Sequence, residues 1–121
     1  MSKRILIVDD SASVRQVAGM ALTRAGYEVV EANDGQDGVS KLSGKLHLII
    51  SDVNMPRLDG IGFLKAVKAN PAYKFTPVIM LTTEAGDDMK SQGRTAGAKA
   101  WITKPFQPQT LLDAVSKLVL A

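Results

Sequence analysis

Cysteine is absent from the 121 residues, which excludes disulfides and thiolate sites and fits a reducing compartment. Long hydrophobic runs are absent as well. No apolar stretch approaches the ~20 residues of a membrane-spanning helix, and the N-terminus lacks the extended apolar region of a secretion signal. These absences predict a soluble, cytoplasmic protein with no membrane association. Linkers rich in Gly, Ser or Pro, low-complexity tracts and internal repeats are also missing, so one domain over residues 1–121 is the simplest organisation. Neither sign of charge dominates. The formal net charge is only +3 and the Lys and Arg residues are scattered, so no nucleic-acid surface is expected.

What is present is an alternation. Hydrophobic residues make up 45% of a chain long enough to bury roughly two thirds of its unfolded surface. Apolar runs occur at Ile5–Val8, Val29–Val30, Leu46–Ile50, Val78–Leu81 and Ala100–Ile102. Between them lie segments with helical spacing. The first carries Val14, Val17, Ala18, Ala21 and Ala25, with Ser13 and Gln16 spaced as a capping box and Gly26 as a stop. A third carries Ile61, Leu64 and Val67 and ends at Asn70-Pro71; the last carries Leu111, Leu112, Val115, Leu118 and Val119 behind Pro108. Segments near 35–43 and 85–96 are weaker, and Gly86 and Gly93 each cost the latter about 1 kcal/mol relative to Ala. Five strands alternating with five helices predict an α/β fold, a doubly wound parallel sheet covered on both faces.

Polar residues fall at the carboxyl ends of these strands. The first ends in Asp9-Asp10, the third in Asp52, the fourth in Thr82-Thr83 and the fifth in Thr103-Lys104-Pro105. Open α/β sheets bind ligands outside this edge, so three carboxylates, a hydroxyl and a lysine can meet in one crevice. Two carboxylates about 4 Å apart repel by about 4 kcal/mol at an effective dielectric of about 20. Three would not remain ionised together without a cation, and hard oxygen ligands that leave room for water suit Mg²⁺. Taken singly, each residue has an ordinary reading as a loop, cap or surface group. His47 shows no evident partner and reads as structural or solvated, while Thr83 and Thr103 read as turn or packing residues.

The motifs VDD, SDVNMPRLDG, MLTTEA and WITKPF together resemble the receiver domain of two-component response regulators, over essentially the whole chain. The resemblance implies a flavodoxin-like five-stranded sheet in the order 2-1-3-4-5. With no output domain after Ala121, it implies the single-domain, CheY-like chemotaxis type. Carried onto this sequence, Asp52 is the phosphoacceptor, Asp10 a direct Mg²⁺ ligand, and Asp9 the holder of a coordinating water. Asn54 gives its backbone carbonyl to the metal, Thr82 its hydroxyl to the phosphoryl group, and Lys104 pairs with that group. Asn54 and Glu84 sit where a hydrolytic water must approach. In the family a Tyr or Phe often stands three residues before the lysine; here that residue is Trp101, which strand alternation turns away from the pocket that Lys104 enters.

The function expected is therefore a signalling switch, a monomer that takes a phosphoryl group from a histidine kinase onto Asp52. It then shows an altered face, built from the 85–96 segment, the fifth strand and the last helix and including Trp101, to a target such as the flagellar motor switch. It catalyses only its own phosphorylation and dephosphorylation. A phosphorelay shuttle is the close alternative. A Mg²⁺-dependent aspartyl-phosphate phosphatase would share the chemistry but needs a substrate pocket for which this length supplies no cap domain. A flavodoxin-like electron carrier would share the fold but needs a hydroxyl- and Gly-rich phosphate loop after the first strand, which is not there.

Overall fold

The computed structural model describes residues 3–53, 60–82 and 97–119. Their elements run β1 (Arg4–Val8), α1 (Ala12–Arg24), β2 (Glu28–Ala32), α2 (Gly35–Ser40), β3 (Leu48–Asp52), α3 (Gly60–Ala69), β4 (Val78–Thr82), β5 (Ala100–Thr103) and α4 (Pro108–Leu118). The five strands form one parallel sheet in the order β2-β1-β3-β4-β5, as the family resemblance implies. The helix expected over 85–96 lies outside the described residues.

The reason for the layering can be followed along any central strand. Ile5, Leu6, Ile7 and Val8 are all fully buried, yet they divide between two cores by alternation. Leu6 and Val8 join Ile49, Val78 and Met80 beneath Phe63, Leu64 and Val67 of α3. Ile5 and Ile7 join Leu48, Ile50, Ile79 and Leu81 beneath Ala18 and Leu22 of α1 and Leu111 and Val115 of α4. A strand covered by helices on both sides must be apolar at every position, and each such side chain contributes about 1.5–3 kcal/mol relative to exposure. Close packing also selects Gly38 in α2, where a Cβ would come within 2.8 Å of the Phe63 ring.

Local signals place most boundaries. Helix α1 ends at Arg24 with Ala25 as its cap, and Gly26 takes φ +96°, the left-handed conformation that glycine adopts without penalty. The start of α1 corrects the expected Ser13–Gln16 capping box. Ser11 is the N-cap, and its hydroxyl accepts the Val14 amide at 3.3 Å. Ser11 and Ser13 are both competent caps, and the tie is broken by β1, whose end sets where the helix can begin. Strand β3 starts at Leu48 rather than Leu46, and β2 extends over Glu28–Ala32 rather than two valines.

Candidate metal centre

Adjacent strands bring the predicted polar residues to one edge. Asp9 follows β1, Asp52 is the last residue of β3, Thr82 the last of β4, and Lys104 follows β5. Register does the alignment: Val8 pairs with Ser51, Asp52 with Leu81, and Thr82 with Thr103. Asp9, Asp52 and Thr82 are buried, whereas Asp10 is exposed. Three carboxylates meet there. One oxygen from each of Asp9, Asp10 and Asp52 lies within 4.8 Å of the others.

Lys104 is the group that makes this arrangement tolerable. Its Nζ donates to Asp9 Oδ2 at 2.8 Å and lies 3.1 Å from Asp52 Oδ1, so one ammonium bridges two buried carboxylates. The expectation from sequence paired Lys104 with a phosphoryl group and gave the acids Mg²⁺ as their counter-charge. Before any phosphoryl arrives, the lysine already serves as that counter-charge. The Lys104 backbone is fixed as well, with its amide donating to the Thr82 carbonyl at 2.6 Å and a cis peptide linking it to Pro105.

Each acid is held by the main chain. Asp9 Oδ1 accepts the Ser11 amide at 2.9 Å, and Asp52 Oδ1 accepts the Val53 amide at the same distance. Arg15, which pairs with Glu31 at 3.4 Å, donates through Nη1 to the Asp9 carbonyl at 2.6 Å and steadies the turn. At Gly60 a Cβ would collide with the Asp52 carbonyl oxygen, and the Gly60 amide donates to the Val53 carbonyl at 2.8 Å. Glycine is thus required where α3 starts against the end of β3.

The electrostatics follow from burial. Loss of solvent is the main cause pushing Asp52 up to about 6, the neighbouring Asp9 carboxylate adds to it, and Lys104 only partly offsets the two. Burial also opposes the Lys104 ammonium, but its bonds to Asp9 and Asp52 outweigh that and hold its pKa above the usual lysine value. Three carboxylates and one ammonium leave two negative charges uncompensated, the complement of a divalent cation. All the donors are hard oxygens, and Asp10 faces solvent from which such an ion and its waters would come. The residues present fit Mg²⁺.

Other expected residues are placed less simply. Asn54, Thr83 and Glu84 lie outside the described residues. Trp101 is half-buried against the core on the α2–α3 face of the sheet, with its indole nitrogen buried and lacking a hydrogen-bond partner among the described residues. His47 has a partner that the sequence did not show, in keeping with the structural one of its two readings: its Nδ1 accepts the Arg4 amide at 3.0 Å, at the opposite end of the sheet. Sequence reasoning missed Ser11, Arg15 and Gly60. Only the small hydroxyl at Ser11 and the glycine closing SDVNMPRLDG offered any local signal.

Comparison with known proteins agrees with this geometry. The response regulator receiver domain model matches residues 5–116. The protein PilG of Pseudomonas aeruginosa is 38% identical over 113 residues, spanning 93% of this chain and 84% of PilG. The chemotaxis protein CheY1 of Helicobacter pylori strain J99 is 39% identical over 113 residues, 91% of each chain. The solved structure of the chemotaxis protein CheY4 of Vibrio cholerae superposes with a TM-score of 0.94 at 44% identity, covering 98% of this chain and 99% of that one.

Proposed function

The chain belongs to the response regulator receiver domain family, and from that premise we propose that Asp52 is the phosphoacceptor of a Mg²⁺-dependent switch. Like its chemotaxis relatives, the protein is a phosphorylation-activated signalling switch. The observation that carries the site assignment is the Lys104 ammonium bridging Asp9 and Asp52 beside an exposed third carboxylate.

The chemistry proceeds from these groups. An Asp52 oxygen attacks the phosphorus of a phosphohistidine on the donor kinase. The new O–P bond forms as the donor N–P bond breaks, and the departing imidazole keeps the electron pair and takes a proton from solvent. Asp9, Asp10 and Asp52 would hold Mg²⁺, with the Asn54 carbonyl as a further ligand. When bound, the metal supplies charge neutralisation for the transferring phosphoryl oxygens, the dominant need in such a reaction. Lys104 exchanges its bond to Asp52 for one to the phosphoryl group, and the Thr82 hydroxyl donates to the same group. Because Lys104 is tied to β5, that exchange pulls on the strand carrying Trp101. Asn54 and Glu84 orient the water that later hydrolyses the acyl phosphate.

The protein acts on no substrate but its own aspartate. Its partners are a histidine kinase and a chemotaxis-type target, such as a motor switch, that reads the face around Trp101. It works as a cytoplasmic monomer, with residues 1–121 as one domain. Acetyl phosphate with Mg²⁺ should add one phosphoryl group to the intact mass. Asp52→Asn should remove that species, and full modification of the Asp52→Asn protein would sink the assignment.

A further inference from the structure

The amino end of the sheet, opposite Asp52, is built differently. There Leu46, His47, Tyr73, Phe75, Pro77 and Leu118 line a groove of about 360 Å³. Its loops are pinned. Tyr73 donates its hydroxyl to the Gly44 carbonyl at 2.7 Å, and Lys68 Nζ donates to the carbonyls of Lys74 and Thr76 at 3.2 and 2.7 Å. Tyr73 and Leu46 are 6% exposed, whereas Phe75 in the same lining is 85% exposed, the most exposed large apolar residue described. A phenylalanine held out by a pinned loop is surface that a partner can cover.

Charge around the groove is mostly of one sign. The segments 43–48, 70–78, 97–100 and 115–119 carry Lys45, Lys74, Lys99 and Lys117 and no Asp or Glu. Lys3 and Lys45 bear on His47, with burial the larger cause holding its pKa below the usual value. Glu28 is the acid near this end, and it lies 4.0 Å from Arg4. Lys74 Nζ sits 5.0 Å from the centre of the Phe75 ring, so the exposed aromatic is flanked by an ammonium with no carboxylate among its described ion pairs.

We propose that this basal groove docks an acidic peptide segment that inserts an aromatic or aliphatic side chain beside Phe75 and sets carboxylates against Lys45 and Lys74. An apolar slot rimmed by lysines fits such a ligand on both counts. A single-stranded nucleic acid would need successive exposed aromatics to stack on, and of the two aromatic rings lining the groove Tyr73 is buried and Phe75 alone is exposed. The assignment does not depend on phosphorylation of Asp52.

The test is an amide chemical-shift titration of the full chain with the amidated octapeptide Glu-Glu-Leu-Phe-Glu-Leu-Glu-Glu. The same peptide with every Glu replaced by Lys, and an oligothymidylate octamer, serve as comparison ligands. The expected result is saturable shifts confined to residues 44–47 and 72–77. Affinity should weaken roughly fivefold or more in Phe75→Ala and in Lys45→Glu/Lys74→Glu, both exposed and compatible with folding. No saturable shifts would overturn the proposal. So would equal binding by the Lys peptide, affinity unchanged in both variants, or tighter binding of the oligothymidylate at the same amides.

Discussion

The two ends of the sheet are made from the same strands and have opposite characters. At the carboxyl ends, Asp9 and Asp52 are buried beside each other and one lysine holds them together. At the amino ends, lysines surround an apolar groove, and His47 accepts a backbone amide through Nδ1. The apolar middle of each strand provides the stability that lets the carboxyl end be electrostatically unfavourable. A metal site needs that unfavourable end, because a divalent cation binds most tightly where negative charge is left uncompensated.

Removing the lysine should break the contrast most severely. Lys104→Ala leaves two buried carboxylates without a counter-charge, and metal-free stability should fall by about 3 kcal/mol, the low end for a broken buried pair. The melting temperature should drop by roughly 10 °C and recover in part with Mg²⁺. A drop within error of wild type would mean that Lys104 does not balance the acids. Thermal melts with and without the metal measure both effects.

Asp52→Asn should act in the opposite direction. Because Asp52 is pushed up to about 6, its ionisation disfavours the folded state above that pH and ceases to do so below about 4. At pH 7 the variant should gain about 1–2 kcal/mol after solvent screening is allowed for, with Lys104 still paired to Asp9. The gain should vanish near pH 4, and the Mg²⁺-induced stabilisation should shrink. Asp10→Asn should show the same weakening of the metal effect. Equal Mg²⁺ shifts in wild type and both variants would refute the shared site.

How much of this could be read beforehand depended on sequence distance. Strands β1, β3 and β4 were legible because burial on both faces demands unbroken aliphatic runs, as in Ile5–Val8. Strand β2 was read short because it is an edge strand, where Glu28 and Glu31 can face solvent without harming the sheet. The convergence of Asp9, Asp10, Asp52, Thr82 and Lys104 followed from their standing at the ends of four strands of one parallel sheet. The Lys104–Asp9 bond did not, since its partners stand 95 residues apart and nothing local marks a lysine as a bridge. The bond from the Arg4 amide to His47, across 43 residues, was hidden for the same reason.

That second bond gives the smallest expected effect. Burial first, then Lys3 and Lys45, hold the His47 pKa below the usual value, and its hydrogen bond to Arg4 only partly offsets them. A depressed pKa means that the contribution is complete above about pH 6.5 and is lost as pH falls through the folded value. Between pH 7 and 5 this should lower the melting temperature by no more than about 2 °C, and His47→Asn should flatten that part of the profile. An identical pH profile in the variant would show that His47 contributes nothing to it.

The central claim concerns one atom on one residue, and it can be read chemically. After treatment with acetyl phosphate and Mg²⁺, borohydride reduces an aspartyl phosphate to homoserine, which peptide mass spectrometry locates in the chain. Conversion at Asp52 alone is the predicted result. Conversion at Asp9 or Asp10, or none while the intact mass shows a phosphoryl group, would contradict it.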